Sequence, residues 1–354
     1  MGAMSTDEHA SRPGGAPADD RTFTPHPGRG LLFVLLSAVF FSSSGVLAKP
    51  VMLAGMTPQQ VAAARIGVAA LILLVGVTLA RPSLLKVRRG DWPLLAGFGL
   101  LGVAGAQLMY FVAASRIPVG VAILLEFTSP VLVALWVRFV RRVHMPRALY
   151  GGVALAMLGL AMVAEVWQGL QLDLLGMGAG LLAAVCASAY FLLGERGMTS
   201  QHPLGMLTWG LTFGAIAVCA VAPPWSWPAE KLTMTVEFGP WTPPAWLLLI
   251  SVAVVSTVLA YLTGLMALKH LPAPVASALG LVEPLAATAL AWVLINEALA
   301  LVQLAGAVAV LAGATIVQLN SPGKAQPAEP LPDPDHCAEP VQDQDLAAEP
   351  ERQA

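Results

Sequence analysis

Apolar stretches long enough to cross a bilayer recur along this chain, separated by short polar connections. A spanning helix needs about 20 mostly apolar residues. Ten such stretches can be read: Leu31–Leu53, Val61–Ala80, Pro93–Ala114, Val119–Arg138, Ala148–Glu165, Leu174–Gly194, Leu204–Ala222, Ala245–Ala267, Ala273–Ile295 and Leu299–Leu319. Most connections are too short to travel far, so sequence neighbours should stand side by side and antiparallel. The exception is Pro223–Pro244, which carries Trp225, Trp227 and Trp241. The flanks break the pattern. Residues 1–30 hold Pro, Gly, Asp and Arg, too long and mixed in charge for a secretory signal, and are expected to be a disordered cytoplasmic extension. Residues 320–354 are acidic and Pro-rich, repeating Ala328-Glu329-Pro330, Ala338-Glu339-Pro340 and Ala348-Glu349-Pro350. Such a segment has too little apolar surface to offset the entropy of ordering, and a disordered cytoplasmic tail is expected.

Composition turns this pattern into an exclusion. Hydrophobic residues make up 57% of the 354 residues and charged residues 11%, where a soluble domain carries about 25% charge. The expected fold class is therefore all-α integral membrane, with ten transmembrane helices. The formal net charge of −2 supplies no basic field for nucleic acid. Lys and Arg are distributed unevenly. With the N-terminus inside, fifteen of the nineteen fall on inner segments, and only Lys49, Arg116 and Lys231 fall on outer ones. The remaining one, Arg65, lies within a span. An excess of cations on the cytoplasmic side fixes orientation, so both termini are expected in the cytoplasm. The clusters Arg81–Arg89 and Arg138–Arg147 then read as topology signals.

Sliding the chain against itself by 154 residues aligns Leu100–Ala164 with Val254–Gln318 without a gap. Pro118 meets Pro272, Pro130 meets Pro284, Gly152 meets Gly306 and Gly159 meets Gly313. The first helices align less cleanly at a shift of 146, where Ala38, Val39 and Ser42 meet Ala184, Val185 and Ser188. The halves are residues 31–167 and 174–319, five spans each. An odd number of spans inverts the second copy relative to the first. Inverted repeats are a transporter architecture, with the substrate site near the midplane between the halves.

A charged side chain at a helix centre costs about 2.5–3.5 kcal/mol on insertion scales. Three ionisable residues lie well inside spans: Arg65, Glu126 and Glu283. Glu126 precedes Thr128, Ser129 and Pro130. A proline removes a backbone donor and clashes with the carbonyl four residues back, here that of Glu126. A freed carbonyl, a carboxylate and two hydroxyls at one break suit an ammonium group or a proton. Arg65 can pair with Glu126 or hold a substrate carboxylate bidentately. Glu283-Pro284 gives the second half a comparable break, although Glu283 aligns with Ser129 rather than with Glu126. The candidate substrate and ion pathway is thus Glu126, Glu283, Arg65, Thr128, Ser129, Tyr110, Tyr261 and Trp209, with helix breaks at Pro130 and Pro284.

Other chemistries lack support. Gly97-Phe98-Gly99-Leu100-Leu101-Gly102 spells a dinucleotide fingerprint but lies inside a span, not between strand and helix. Close helix packing by small residues explains it better, and the same holds for Gly176, Gly178, Gly180, Gly210 and Gly214. There is no phosphate-binding loop, and His144, His202 and His270 fall at helix ends or in loops. Cys186, Cys219 and Cys337 lie far apart and suggest neither disulfide nor metal site. No cofactor, no metal, no nucleic-acid partner and no enzymatic activity are expected.

Ten spans in two five-span halves, with Glu283-Pro284 in the ninth and Gly306 and Gly313 in the tenth, resemble the EamA group of the drug/metabolite transporter superfamily. The runs Val121–Pro130 and Ser256–Pro272 are similar to those of bacterial threonine/homoserine exporters. The resemblance implies a plasma-membrane exporter of amino acids or related metabolites, driven by an ion gradient. Expected partners are a small-molecule substrate, a proton or other coupling ion and the lipid bilayer, with the chain a monomer or homodimer. A broad drug or lipid exporter is the alternative within the class. A membrane scaffold or membrane enzyme is the alternative outside it, and would need a polar catalytic cluster that the sequence lacks.

Overall fold

The computed structural model describes residues 26–167, 173–227, 229–238, 241–295 and 300–320. The expected N-terminal extension up to residue 25 and the tail from 321 lie outside them. Ten apolar segments run through the described residues: α1 (Pro27–Leu53), α2 (Pro58–Ala80), α3 (Arg89–Ala114), α4 (Val119–Phe139), α5 (Arg147–Val163), α6 (Leu174–Gly197), α7 (Pro203–Val221), α8 (Ala245–His270), α9 (helices Ala273–Leu279 and Val282–Ile295) and α10 (Leu301–Leu319). All but α5, which is shorter, reach spanning length by composition. Several begin earlier than hydropathy suggests. Pro27, Pro58 and Pro203 open α1, α2 and α7, where the fixed φ and missing N–H of proline do no harm. Thr57 and Gln60 close a capping box on α2. Asp173 caps α6 through the N–H groups of Leu175 and Gly176.

The packing repeats as the sequence does. α1 lies against α8 and α9, and α6 lies against α3 and α4. The remaining mates face each other, α2 against α7 and α5 against α10. This is the contact pattern of two five-helix units related by a two-fold axis. The α5–α10 contact shows it atom by atom. A Cβ at Gly152 would lie 2.8 Å from the Gly313 carbonyl oxygen, and one at Gly159 2.6 Å from that of Gly306. Each pair joins one glycine to the repeat mate of the other, so only hydrogen side chains let these backbones approach this closely.

Irregular backbone also recurs in register. α3 widens into a π-helical stretch at Phe98–Gly105, and α8 does so at Val254–Leu259. α4 divides into Val119–Glu126 and Ser129–Phe139, as α9 divides at Gly280-Leu281. The interruption in α4 falls where Pro130 predicts it. Thr128 N–H bonds the Leu125 carbonyl, and Val131 N–H bonds that of Thr128. Among the backbone bonds that bridge this break, none ends on the Glu126 carbonyl.

Between α7 and α8 the chain forms a short helical turn, Ala229–Thr233, and the isolated bridges Thr235–Pro244 and Phe238–Trp241. This insertion packs on the far end of the α1–α2 hairpin: Val236 shares a cluster with Val51, Met56 and Val61. Lys231 donates to the Gly55 carbonyl and Gln60 to that of Ser226.

Candidate functional site

A cavity of about 410 Å³ lies between the two halves, within the range of small-molecule sites. Its walls come from α1, α2, α3 and α4 of the first half and from α6, α8 and α9 of the second. α5, α7 and α10 contribute none of its lining residues. Met52 and exposed Pro58, at the α1–α2 turn, stand at its rim, on the side away from the start of α1.

The broken helices supply the polar wall. Ile123, Glu126 and Ser129 of α4 line the cavity, and so do Ser277, Gly280 and Glu283 of α9. At the 154-residue shift these are three matched pairs. The two carboxylates therefore occupy the same wall of each repeat, offset by one helical turn. Breaking a helix at membrane depth is tolerated only where the backbone faces protein or a polar cavity, which is where these breaks sit.

Arg65 approaches from α2. It is 6% exposed, and its Nη1 donates to Ser44 Oγ of α1 at 2.7 Å. Glu126 and Glu283 lie within electrostatic reach, yet among the described residues Arg65 forms no ion pair with either. Its Nε is buried with no hydrogen-bond partner. Ser43 of α1 bonds Ser256 of α8 at 2.8 Å, and Ser188 of α6 donates to the Ser129 carbonyl at 3.2 Å, so hydroxyls tie the cavity walls across the repeat boundary.

Aromatic rings close the end nearer the start of α1. Phe41 meets Tyr261 edge-on at 4.9 Å, Tyr261 meets Tyr190 at 5.6 Å, and Tyr190 meets Phe191 at 5.0 Å. Beneath this layer lies a second void of about 50 Å³, lined by Val34, Ser37, Gly264 and Ala267 among others. Phe41, Tyr190, Phe191, Gly280 and Glu283 border both spaces. Nearer the start of α1, Glu195 at the end of α6 joins three elements. One carboxylate oxygen accepts the Ala273 N–H that opens α9, at 2.9 Å, and the other pairs with Arg141 beyond α4.

The structure gathers Arg65, Glu126, Glu283, Ser129, Tyr110, Tyr261 and Pro284 around the cavity. Thr128 and Pro130 sit at the break without lining it: Thr128 Oγ1 turns back to the Leu125 carbonyl, and Pro130 is buried in the second half of α4. Trp209 is elsewhere. Its Nε1 donates to the Leu85 carbonyl at 3.2 Å, and its ring stacks edge-on with Trp92 at 4.8 Å. It anchors α7 to the α2–α3 connection and is not a cavity residue. Ser44, Gln107 and Ser277 line the cavity although the sequence reading passed them over. The run Ser42-Ser43-Ser44 inside an apolar helix was a usable signal for the first of them.

The glycine readings hold with one exception. Gly99 packs on Gly210 and Phe213, Gly102 on Tyr190, Gly180 on Leu125, and Gly176 on Ile117 and Arg116. Gly178 faces open space. No group of three His, Cys, Asp or Glu among the described residues is arranged to hold a metal ion.

Known proteins resemble this chain over most of its length. The EamA-like transporter family model matches residues 28–164 and 174–319. The threonine/homoserine exporter RhtA of Salmonella typhimurium (strain SL1344) is 28% identical, over 82% of this chain and 93% of its own. RhtA of Escherichia coli (strain K12) is also 28% identical, over 70% and 79%. An uncharacterized inner membrane transporter, YicL of Salmonella typhimurium, is 24% identical over 85% and 98%. A solved crystal structure superposes with a TM-score of 0.66 at 18% identity, covering 82% of this chain and 98% of its own, which supports the fold. Both repeats of the matched family are present, each a five-helix unit facing the shared cavity, and the chain belongs to the EamA-like transporter family of the drug/metabolite transporter superfamily.

Proposed function

We propose that this transporter exports small amino acids or amino-acid-like metabolites from the cytoplasm, exchanging them for protons by alternating access. One observation carries the reading: a small-molecule cavity between inverted repeats holds two carboxylates and one guanidinium and little other charge. In this reading the termini lie in the cytoplasm, which the bias of Lys and Arg supports. The conformation described is then outward-facing, with the cavity open past Met52 and Pro58 and closed inward by the Phe41–Tyr190–Tyr261 layer. Glu283, bordering both voids, is the group reached from either side in turn. Two repeats of like structure exchange shapes, so the packing that opens one side becomes the packing that closes it. The substrate class rests on the cavity's mixed charge and on the exporters RhtA, which are named for threonine and homoserine.

The test is transport of labelled threonine into inverted membrane vesicles under an imposed pH gradient. Glu126→Gln and Glu283→Gln are expected to lose gradient-driven accumulation. Wild-type rates in both variants would remove the carboxylates from the mechanism.

A further inference from the structure

We infer that Arg65 is the carboxylate anchor of the cavity and that it fixes a zwitterionic amino acid in one orientation, carboxylate toward α2 and ammonium toward Glu126 and Glu283. This rests on the proposed function and adds the residue that reads the substrate's acid group.

The argument begins with what Arg65 lacks. A guanidinium offers five N–H donors in a planar fork, and burying it is costly unless it is paired and bonded. Arg65 is almost fully buried at membrane depth. Only Nη1 is engaged, by the neutral Ser44 hydroxyl. Nε has no partner, and Nη2 makes no bond among the described residues. The Nε–Nη2 edge of the fork is thus unused, and that edge matches the two oxygens of a carboxylate. A purely structural arginine would spend these donors on helix carbonyls or on the nearby glutamates. This one spends neither, although both glutamates act on it electrostatically.

The surroundings give the rest of the ligand. Arg65 lines the same cavity as Glu126 and Glu283, which stand on α4 and α9. Neither carboxylate has a hydrogen-bond partner among the described residues. A cation site and an anion site in one cavity of about 410 Å³ fit a small molecule bearing both charges. Ser44 beside the fork holds the guanidinium plane. Ser277 and Gln107 add polar contacts for a short hydroxylated side chain, and Phe41, Phe111 and Phe127 would crowd a long one.

The experiment compares threonine with threoninamide, which keeps the skeleton and ammonium but lacks the carboxylate. Binding to the purified full-length chain in detergent is read as ligand-induced thermal stabilisation for wild type, Arg65→Lys and Arg65→Gln. Wild type is expected to bind the acid at least tenfold more tightly than the amide. Arg65→Gln should bring that ratio near one, and Arg65→Lys, which keeps charge but not the fork, should fall between. If Arg65→Gln does not fold, the wild-type ratio and Arg65→Lys still decide. Equal binding of acid and amide by wild type, or an unchanged ratio in Arg65→Gln, overturns the anchor while leaving amino-acid transport standing. Binding of neither ligand by wild type overturns both.

Discussion

Glu195 sits where three elements meet, on the cytoplasmic side in the proposed orientation, and its removal tests whether this junction holds that side shut. Its carboxylate accepts the Ala273 N–H at 2.9 Å and pairs with Arg141. A hydrogen bond to a charged group contributes about 1.5–3 kcal/mol. The Arg141 side chain is 36% exposed, so solvent screening holds that pair to about 0–1 kcal/mol. Glu195→Ala therefore removes about 1.5–4 kcal/mol from the closed state of that side, with both contacts parting on opening. At about 1.4 kcal/mol per tenfold, the inward-open population should rise by about 10- to 700-fold, until it becomes the majority. The assay uses a chain freed of its three native cysteines and a probe cysteine at Ser37, which lines the inner void. Labelling by a membrane-impermeant thiol reagent from the cytoplasmic side should accelerate by that factor. A second probe at Ala48, on the outer cavity wall, should slow from the opposite side as the outward-open state is depleted. An unchanged Ser37 rate in Glu195→Ala, with the protein folded, would refute the assignment.

Three further outcomes follow from the packing. Gly159→Ala places a Cβ 2.6 Å from the Gly306 oxygen and from the Val310 nitrogen, an overpacking expected to cost about 1–3 kcal/mol; thermal unfolding in detergent should show the loss, with threonine KM unaltered because this seam lines no part of the cavity. Trp209→Phe should cost about 1 kcal/mol, since the bond to the Leu85 carbonyl goes, and should leave KM unchanged; a raised KM would return Trp209 to the pathway. His202 caps α7 by accepting the Leu204 N–H on Nδ1, and burial, with Lys269 and Arg81 beside it, holds its pKa below the ordinary value of 6.5. Its contribution to stability is therefore full above about pH 6.5 and lost as pH falls through the lowered folded value. His202→Asn, which caps without titrating, should flatten that part of the melting-temperature profile.

The sequence revealed most where a membrane imposes the rule. Leu174 to Gly194 read as a span because nothing else could bury it, and α6 covers that range and one turn more. Helix starts were misplaced by three or four residues at Pro27 and Pro58, because proline at a first turn is favourable yet scores as polar-loop punctuation. The break in α4 was legible from Pro130 alone. That in α9 was legible from Pro284 in the same way, since Gly280-Leu281 lies four and three residues before it. The π-helical stretches at Phe98–Gly105 and Val254–Leu259 were not legible, since they leave no period in hydropathy. Of the candidate cavity residues, those that carry charge were found because charge is costly in lipid. Ser44, Gln107 and Ser277 were missed because a neutral polar side chain in a span carries little penalty and so little signal. Trp209 was included for being aromatic, a property that here serves a packing contact with Trp92.

The most direct measurement of the central claim is the distribution of amino acids between cells and medium with the chain present, absent, or carrying Glu283→Gln. Threonine, homoserine or another small amino acid should accumulate inside when the chain is absent, leave when the wild type is restored, and remain inside with Glu283→Gln produced at equal level in the membrane. An unchanged amino-acid distribution across all three would contradict it.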